Sequence, residues 1–232
     1  MAQKMANGVF QYKNAKIDNL YPACTIAAQY VVQNMPECKK VRYIGMEPMG
    51  EELRSNGLET IGGTNGDSEF NDSYFHYEQI KDYPFDREVG AVITGIDFRI
   101  SYSKIALASM YIQRGAKWIV TNEDAFTMQH GMRAPGNGCI IAALESGLKQ
   151  PGSNKLICEK ITTGKPNPKI IDLICQQHGI PLIEKDKMVM IGDRPDTDIA
   201  LGNNAGIASC LVLSGVVTCE DEVYLYAQQA AS

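Results

Sequence analysis

Met188-Val-Met-Ile-Gly-Asp-Arg-Pro-Asp-Thr-Asp198 is the stretch whose reading decides the fold. Four apolar residues run into Gly192, and Asp193, Asp196 and Asp198 follow within six positions. A short apolar run that ends on glycine predicts a buried parallel strand. Asp193 then stands just past the carboxyl end of that strand, where open α/β sheets hold their ligands. Carboxylates so spaced offer the hard oxygen donors that Mg²⁺ takes. The same residues also serve as an Asp-rich turn that caps the following helix. The stretch alone leaves both readings open.

Outward from it, the chain alternates strand and helix patterns. Apolar runs stopped by Gly or polar residues predict strands over 39–45, 88–95, 117–121 and 209–213. Helical spacing predicts helices over 22–33, 50–57 and 139–148, and from Ser101 or Ser103 to Arg114. After Gly164-Lys-Pro-Asn-Pro168, Ile170, Ile171, Leu173 and Ile174 recur at the spacing of a buried helix face that ends at His178-Gly179. A further helix over 199–204 is closed by Gly206. Residues 62–87 are polar, acidic and rich in turn formers, which predicts a loop or a surface insertion. The fold class expected is α/β with a largely parallel sheet.

Composition narrows the function classes. With 44% hydrophobic and 21% charged residues the chain can bury an ordinary core. A formal net charge of −5 without a Lys/Arg cluster argues against a nucleic-acid partner. No apolar run approaches the ~18 residues of a membrane span, and residues 1–16 lack the apolar centre of a signal peptide. Seven cysteines without a CxxC pair fit reduced thiols in a cytoplasmic protein, most of them packed as small hydrophobes.

Three other groups could meet the Asp cluster. Lys165, on the tight Gly164-Lys165-Pro166 turn, could point its ammonium at a phosphate near the strand ends and offset the clustered carboxylates. Turn and helix-start preferences explain the same residues without a ligand. Thr121, Asn122 and Asp124 end a strand, where polar side chains line pockets or cap loops. Pro135-Gly-Asn137-Gly138 opens a helix and could present backbone N–H groups to an anion, or form a plain turn. His76, His130 and His178 are scattered, and no GxSxG, GxGxxG or Walker loop is present.

The order of these pieces resembles the haloacid dehalogenase superfamily. A strand end reading TNxD, a PGxG helix start, a GKPxP helix start and hhhGDRxxTDI follow one another as they do there. The likeness is narrowest to the class II-capped branch of p-nitrophenylphosphatases, phosphoglycolate phosphatases and pyridoxal phosphate phosphatase. It spans about residues 17–218 and takes in Asp97, Tyr102 and Lys104 and the closing Ser-Gly-Val-Val-Thr218. The resemblance implies a Rossmann-like parallel-sheet core from residues 1–38 and 163–232, with an inserted α/β cap at 39–162. It implies Lys165 as the phosphate-contacting lysine, Asp193 as a Mg²⁺ ligand and Asp198 as its support from behind. Thr121, Asn122, Asp124, Asn137 and the 126–133 loop would face a small phosphorylated metabolite. The loop around Phe126, Thr127 and His130 would select it. Family members also pair through the cap, which implies a homodimer.

One departure is large. The family's Asp-x-Asp-Gly-Thr motif supplies the nucleophile and the general acid and base, and residues 1–232 do not contain it. Lys165 and Asp193 cannot replace an in-line carboxylate nucleophile. The expectation is therefore an incomplete core, a better-folded cap and no hydrolysis by this chain alone. The alternative is a non-catalytic binding or dimerisation protein built on the cap. A smaller departure is Pro195, where many relatives carry Leu.

Overall fold

The computed structural model describes residues 20–64 and 83–230. A five-stranded parallel sheet forms its larger part, in the order β2-β1-β3-β4-β7. The strands are β1 (Lys40–Ile44), β2 (Glu59–Gly62), β3 (Val89–Thr94), β4 (Lys117–Val120) and β7 (Lys160–Thr162). Four helices cover it: α1 (Ala23–Asn34), α2 (Glu47–Ser55), α3 (Tyr102–Gln113) and α4 (Asn137–Leu148).

The strands read as continuous apolar runs because both faces are covered. Val92, Trp118 and Val120 point to one face, against Ala108, Tyr111 and Ile112 of α3 and Ile140, Ile141, Leu144 and Leu148 of α4. Val41, Tyr43, Ala91, Ile93 and Ile119 point to the other, against Ala27, Ala28 and Val31 of α1 and Leu53 of α2. Each Leu or Ile so buried contributes roughly 2 kcal/mol relative to exposure. α1 thus packs on the same sheet as residues 40–62. Ser101 caps α3, its hydroxyl accepting from the Lys104 N–H at 3.4 Å.

Residues beyond 163 build a smaller unit. It contains α5 (Lys169–His178), a 3₁₀ turn (Leu182–Lys187), β8 (Val189–Gly192), a π turn (Pro195–Ile199), α6 (Ala200–Ala205), β9 (Ala208–Leu211) and α7 (Glu220–Ala230). β8 and β9 pair in parallel, and Ile171, Cys175, Leu201 and Ile207 form the core beneath them. The expected strand at 188–191 is present, but it is not buried. Val189 is 53% exposed and Ile191 61%, because α5 and α6 cover only the face of Met188 and Met190. Among the described residues β8 pairs only with β9.

Four other expectations change in detail. The loop read over 125–135 is a hairpin of β5 (Phe126–Gln129) and β6 (Met132–Pro135). His130 and Gly131 both take positive φ, 50° and 78°, as a two-residue hairpin turn requires. β2 and β7 were not expected, since three or four residues are too few for a period to show. The helix expected at 50 starts at Glu47, with Pro48 in its first turn. Cysteine burial is also lower than expected, since Cys139, Cys210 and Cys219 are exposed. The loop expected over 62–87 falls largely at 65–82, outside the described residues.

Candidate active site

The carboxyl ends of β4 and β7 lie side by side, and the Lys165 turn leaves from there. The Thr163 N–H and hydroxyl both donate to the Val120 carbonyl, at 2.9 and 3.0 Å. A Cβ on Gly164 would stand 1.9 Å from the Thr121 carbonyl oxygen, so only glycine permits this approach. The Asn167 N–H donates to the Gly164 carbonyl at 2.9 Å, and its side-chain amide donates to the Thr162 carbonyl at 2.7 Å. These bonds aim Lys165 at the loop after β8. Its Nζ lies 2.6 Å from Oδ1 of Asp198, which is buried.

The three carboxylates of the opening stretch do different work. Asp198 takes Lys165 on one oxygen and the Arg194 N–H on the other, at 3.1 Å. Asp196 holds the Arg194 guanidinium through Nε at 3.2 Å and Nη2 at 2.9 Å. Asp193 Oδ2 accepts from the Val216 N–H at 2.7 Å and sits tight against Gly215. They are not gathered into one cation site. Among the described residues no group of three or more His, Cys, Asp or Glu could hold a metal. The donor chemistry nevertheless fits Mg²⁺ in its sparest mode, where one or two carboxylates serve and phosphate and water complete the octahedron. Asp193 is the residue that would hold it.

Thr121 and Asn137 are buried and act on the backbone. The Thr121 hydroxyl donates to the Thr94 carbonyl at 3.0 Å. The Asn137 amide donates to the Asn122 carbonyl at 2.7 Å and to the Thr94 carbonyl at 3.4 Å. The start of α4 does not offer its N–H groups to an anion. Gly138 donates to the Asp124 carbonyl and Gly136 to the Ala125 carbonyl, both at 2.9 Å, because the chain folds back on itself there. The Asn122 side chain accepts from the Asp124 N–H at 3.2 Å. Asp124 faces Arg194, in the loop after β8, at 3.8 Å.

Glu123, inside the same tetrad, is pinned by Lys160 at 2.8 Å and by the Thr162 hydroxyl. Burial alone would raise its pKa. The two hydrogen bonds outweigh that and hold the carboxyl below its ordinary value.

Arg194 is the residue that sequence reasoning passed over. Its side chain is 7% exposed, and its guanidinium donates to the Phe126 carbonyl at 3.0 Å, besides pairing with Asp196. It also lies 5.0 Å from the centre of the Phe126 ring. Burial would lower its pKa, but Asp196 and then Asp124 push it further up. An Arg between two aspartates in a loop after a strand was the available signal.

A family model described as HAD-hydrolase-like matches residues 162–231. The chain is 34% identical to phosphoglycolate phosphatase 2 of Arabidopsis thaliana, across 87% of its own length and 63% of that protein's. It is 31% identical to the 4-nitrophenylphosphatase of Schizosaccharomyces pombe, across 90% of its own length and 66% of that protein's. The chain thus spans less than two thirds of the length of these relatives. Its fold matches a thermostable NPPase from Geobacillus stearothermophilus with TM-score 0.66 and 26% identity, covering 88% of this chain and 68% of that one. A glycerol phosphate phosphatase from Mycobacterium tuberculosis, solved with magnesium, gives TM-score 0.64 and 25% identity over 87% of this chain and 52% of that one.

Proposed function

We propose that this chain, which belongs to the haloacid dehalogenase-like hydrolases, carries the phosphate-facing half of a Mg²⁺-dependent phosphomonoesterase site. The substrate class is a small phosphorylated metabolite of the phosphoglycolate, p-nitrophenyl phosphate or pyridoxal phosphate type. One observation carries the reading: Lys165 and Asp198 join the exit of β7 to the loop that holds Asp193. The Lys165 side chain is 35% exposed and its ammonium has three N–H donors, so it can meet a phosphate oxygen while keeping Asp198. Asp193 would hold Mg²⁺, which supplies charge neutralisation on the phosphate when bound. Asp198 keeps Lys165 oriented. Thr121, Asn122, Asp124 and Asn137 shape the strand-end wall opposite, Thr121 and Asn137 through the backbone.

In this reading residues 39–162 are the cap and residues 1–38 with 163–232 the core. No described helix is long and apolar enough to cross a membrane, and we place the protein in the cytoplasm on its composition. Because residues 1–232 hold no Asp-x-Asp-Gly-Thr, this polypeptide alone binds phosphate and Mg²⁺ without turnover. Purified chain should release no p-nitrophenol from p-nitrophenyl phosphate with Mg²⁺. Release that Asp193→Asn abolishes overturns the no-turnover claim. Titration calorimetry should show Mg²⁺ binding that Asp193→Asn removes, and its absence in the unsubstituted chain overturns the site.

One observation favours the second reading, a dimerisation protein built on the cap. Phe98 and Ile100, on the loop after β3, and Tyr102, the first residue of α3, stand 79%, 38% and 57% exposed, and exposed apolar groups so close together mark association surfaces. Sedimentation equilibrium should then give a dimer that Phe98→Ser dissociates.

A further inference from the structure

Arg194 grips in two directions. Its guanidinium holds the β5–β6 hairpin through the Phe126 carbonyl at 3.0 Å and faces Asp124 at 3.8 Å. Its own main-chain N–H holds Asp198 at 3.1 Å, and Asp198 holds Lys165 at 2.6 Å. Hairpin and lysine therefore meet at one residue. The guanidinium is almost fully buried, and Asp196 fixes its plane through two parallel hydrogen bonds. Such a fork leaves little freedom to rotate. Asp124 Oδ1 is buried without a hydrogen bond of its own, so Arg194 is the charge placed to compensate it.

We infer that Arg194 is a positioning residue that ties the placement of the hairpin to the placement of Lys165. It touches no reacting atom. A hairpin displaced from the Arg194 guanidinium pulls on the same loop backbone that orients Asp198, and Lys165 loses its aim. The inference deepens the phosphatase reading by naming what sets the geometry of its lysine. Its test needs no turnover.

The test compares the full chain with its Arg194→Ala and Arg194→Lys variants by two measurements. Amide hydrogen exchange reads the hairpin, and acetylation of Lys165 by dilute acetic anhydride, followed by mass spectrometry, reads the lysine. In Arg194→Ala the hairpin amides should exchange about tenfold faster, the factor that 1.4 kcal/mol of local stabilisation represents. Lys165 labelling should rise about threefold, while amides of β1, β3 and β4 stay unchanged. Arg194→Lys keeps the charge but loses the fork, and should change both readouts in the same direction by less. It also serves if the alanine variant does not fold. A faster hairpin with unaltered Lys165 labelling overturns the tie, since a purely local staple would behave so. No change in the hairpin overturns the anchor itself. Failure of Mg²⁺ or phosphate binding counts against the proposed function and leaves these two readouts standing.

Discussion

Lys165 Nζ sits 2.6 Å from Asp198 Oδ1, joining the turn after β7 to the loop after β8. Asp198 is 4% exposed at its side chain and Lys165 35%, so the two ends of the bond differ in what their loss costs.

Asp198→Ala strands the Lys165 ammonium and the Arg194 N–H together. It should lower stability by about 2–3 kcal/mol, as loss of a buried charged acceptor does. Lys165→Ala should cost more, about 3–5 kcal/mol, because it leaves the buried Asp198 carboxylate without its counter-charge. Urea unfolding midpoints decide, and equal midpoints contradict the asymmetry.

Gly164→Ala should be costly for a different reason. The new Cβ meets the Thr121 carbonyl at 1.9 Å, and backbone rather than a flexible side chain must move. An overpacked backbone contact of this kind costs about 1–3 kcal/mol. Thermal unfolding should show a Tm lower than for Gly147→Ala in α4, where the nearest atom lies 3.9 Å from the new Cβ.

At Gly215 the obstacle is a side chain. A Cβ there would stand 1.9 Å from Asp193 Oδ2 and 2.7 Å from its Cβ, so Gly215→Ala should turn the carboxylate away from the Val216 N–H and shift the loop locally. Stability should fall by about 1–3 kcal/mol. Mg²⁺ affinity, read by calorimetry, should fall about tenfold, as when other supports of a metal ligand are lost.

The Glu123 carboxyl is held below its ordinary value of 4.5 by Lys160 and Thr162 against the opposing pull of burial. A carboxylate depressed in the folded state adds stability that is complete above its unfolded pKa. That contribution disappears as pH falls through the lower folded value. Melting temperature should therefore drop below about pH 4.5, and Glu123→Gln should flatten that limb. An identical acid limb in the variant removes Glu123 as a cause.

The central strands β1, β3 and β4 and their helices were legible because a sheet covered on both faces leaves unbroken apolar runs. Trp118-Ile-Val120 could hardly be anything else. The hairpin was not, since Phe126 to Gln129 carries no buried alternation and its exposed side chains resemble loop. His130-Gly131 was its one cue. At the site, the approach of Lys165 to the Asp cluster was readable through spaced motifs, but its pairing with Asp198 was not. Arg194 was hidden because its partners lie in a distant hairpin and at Asp196, which alone looked like a turn residue. Burial of β8 was misjudged for a related reason: a sequence shows an apolar strand, but not whether anything covers both its faces.

β7 is short, yet only Thr163 and Gly164 separate it from Lys165. Three Cα steps span at most about 11 Å, and here they are folded into a turn. The lysine is in effect a tooth on the rim of the five-stranded sheet. A sheet that swung as a body to admit a ligand would carry that tooth with it, so opening the cleft and withdrawing its positive charge would be a single motion.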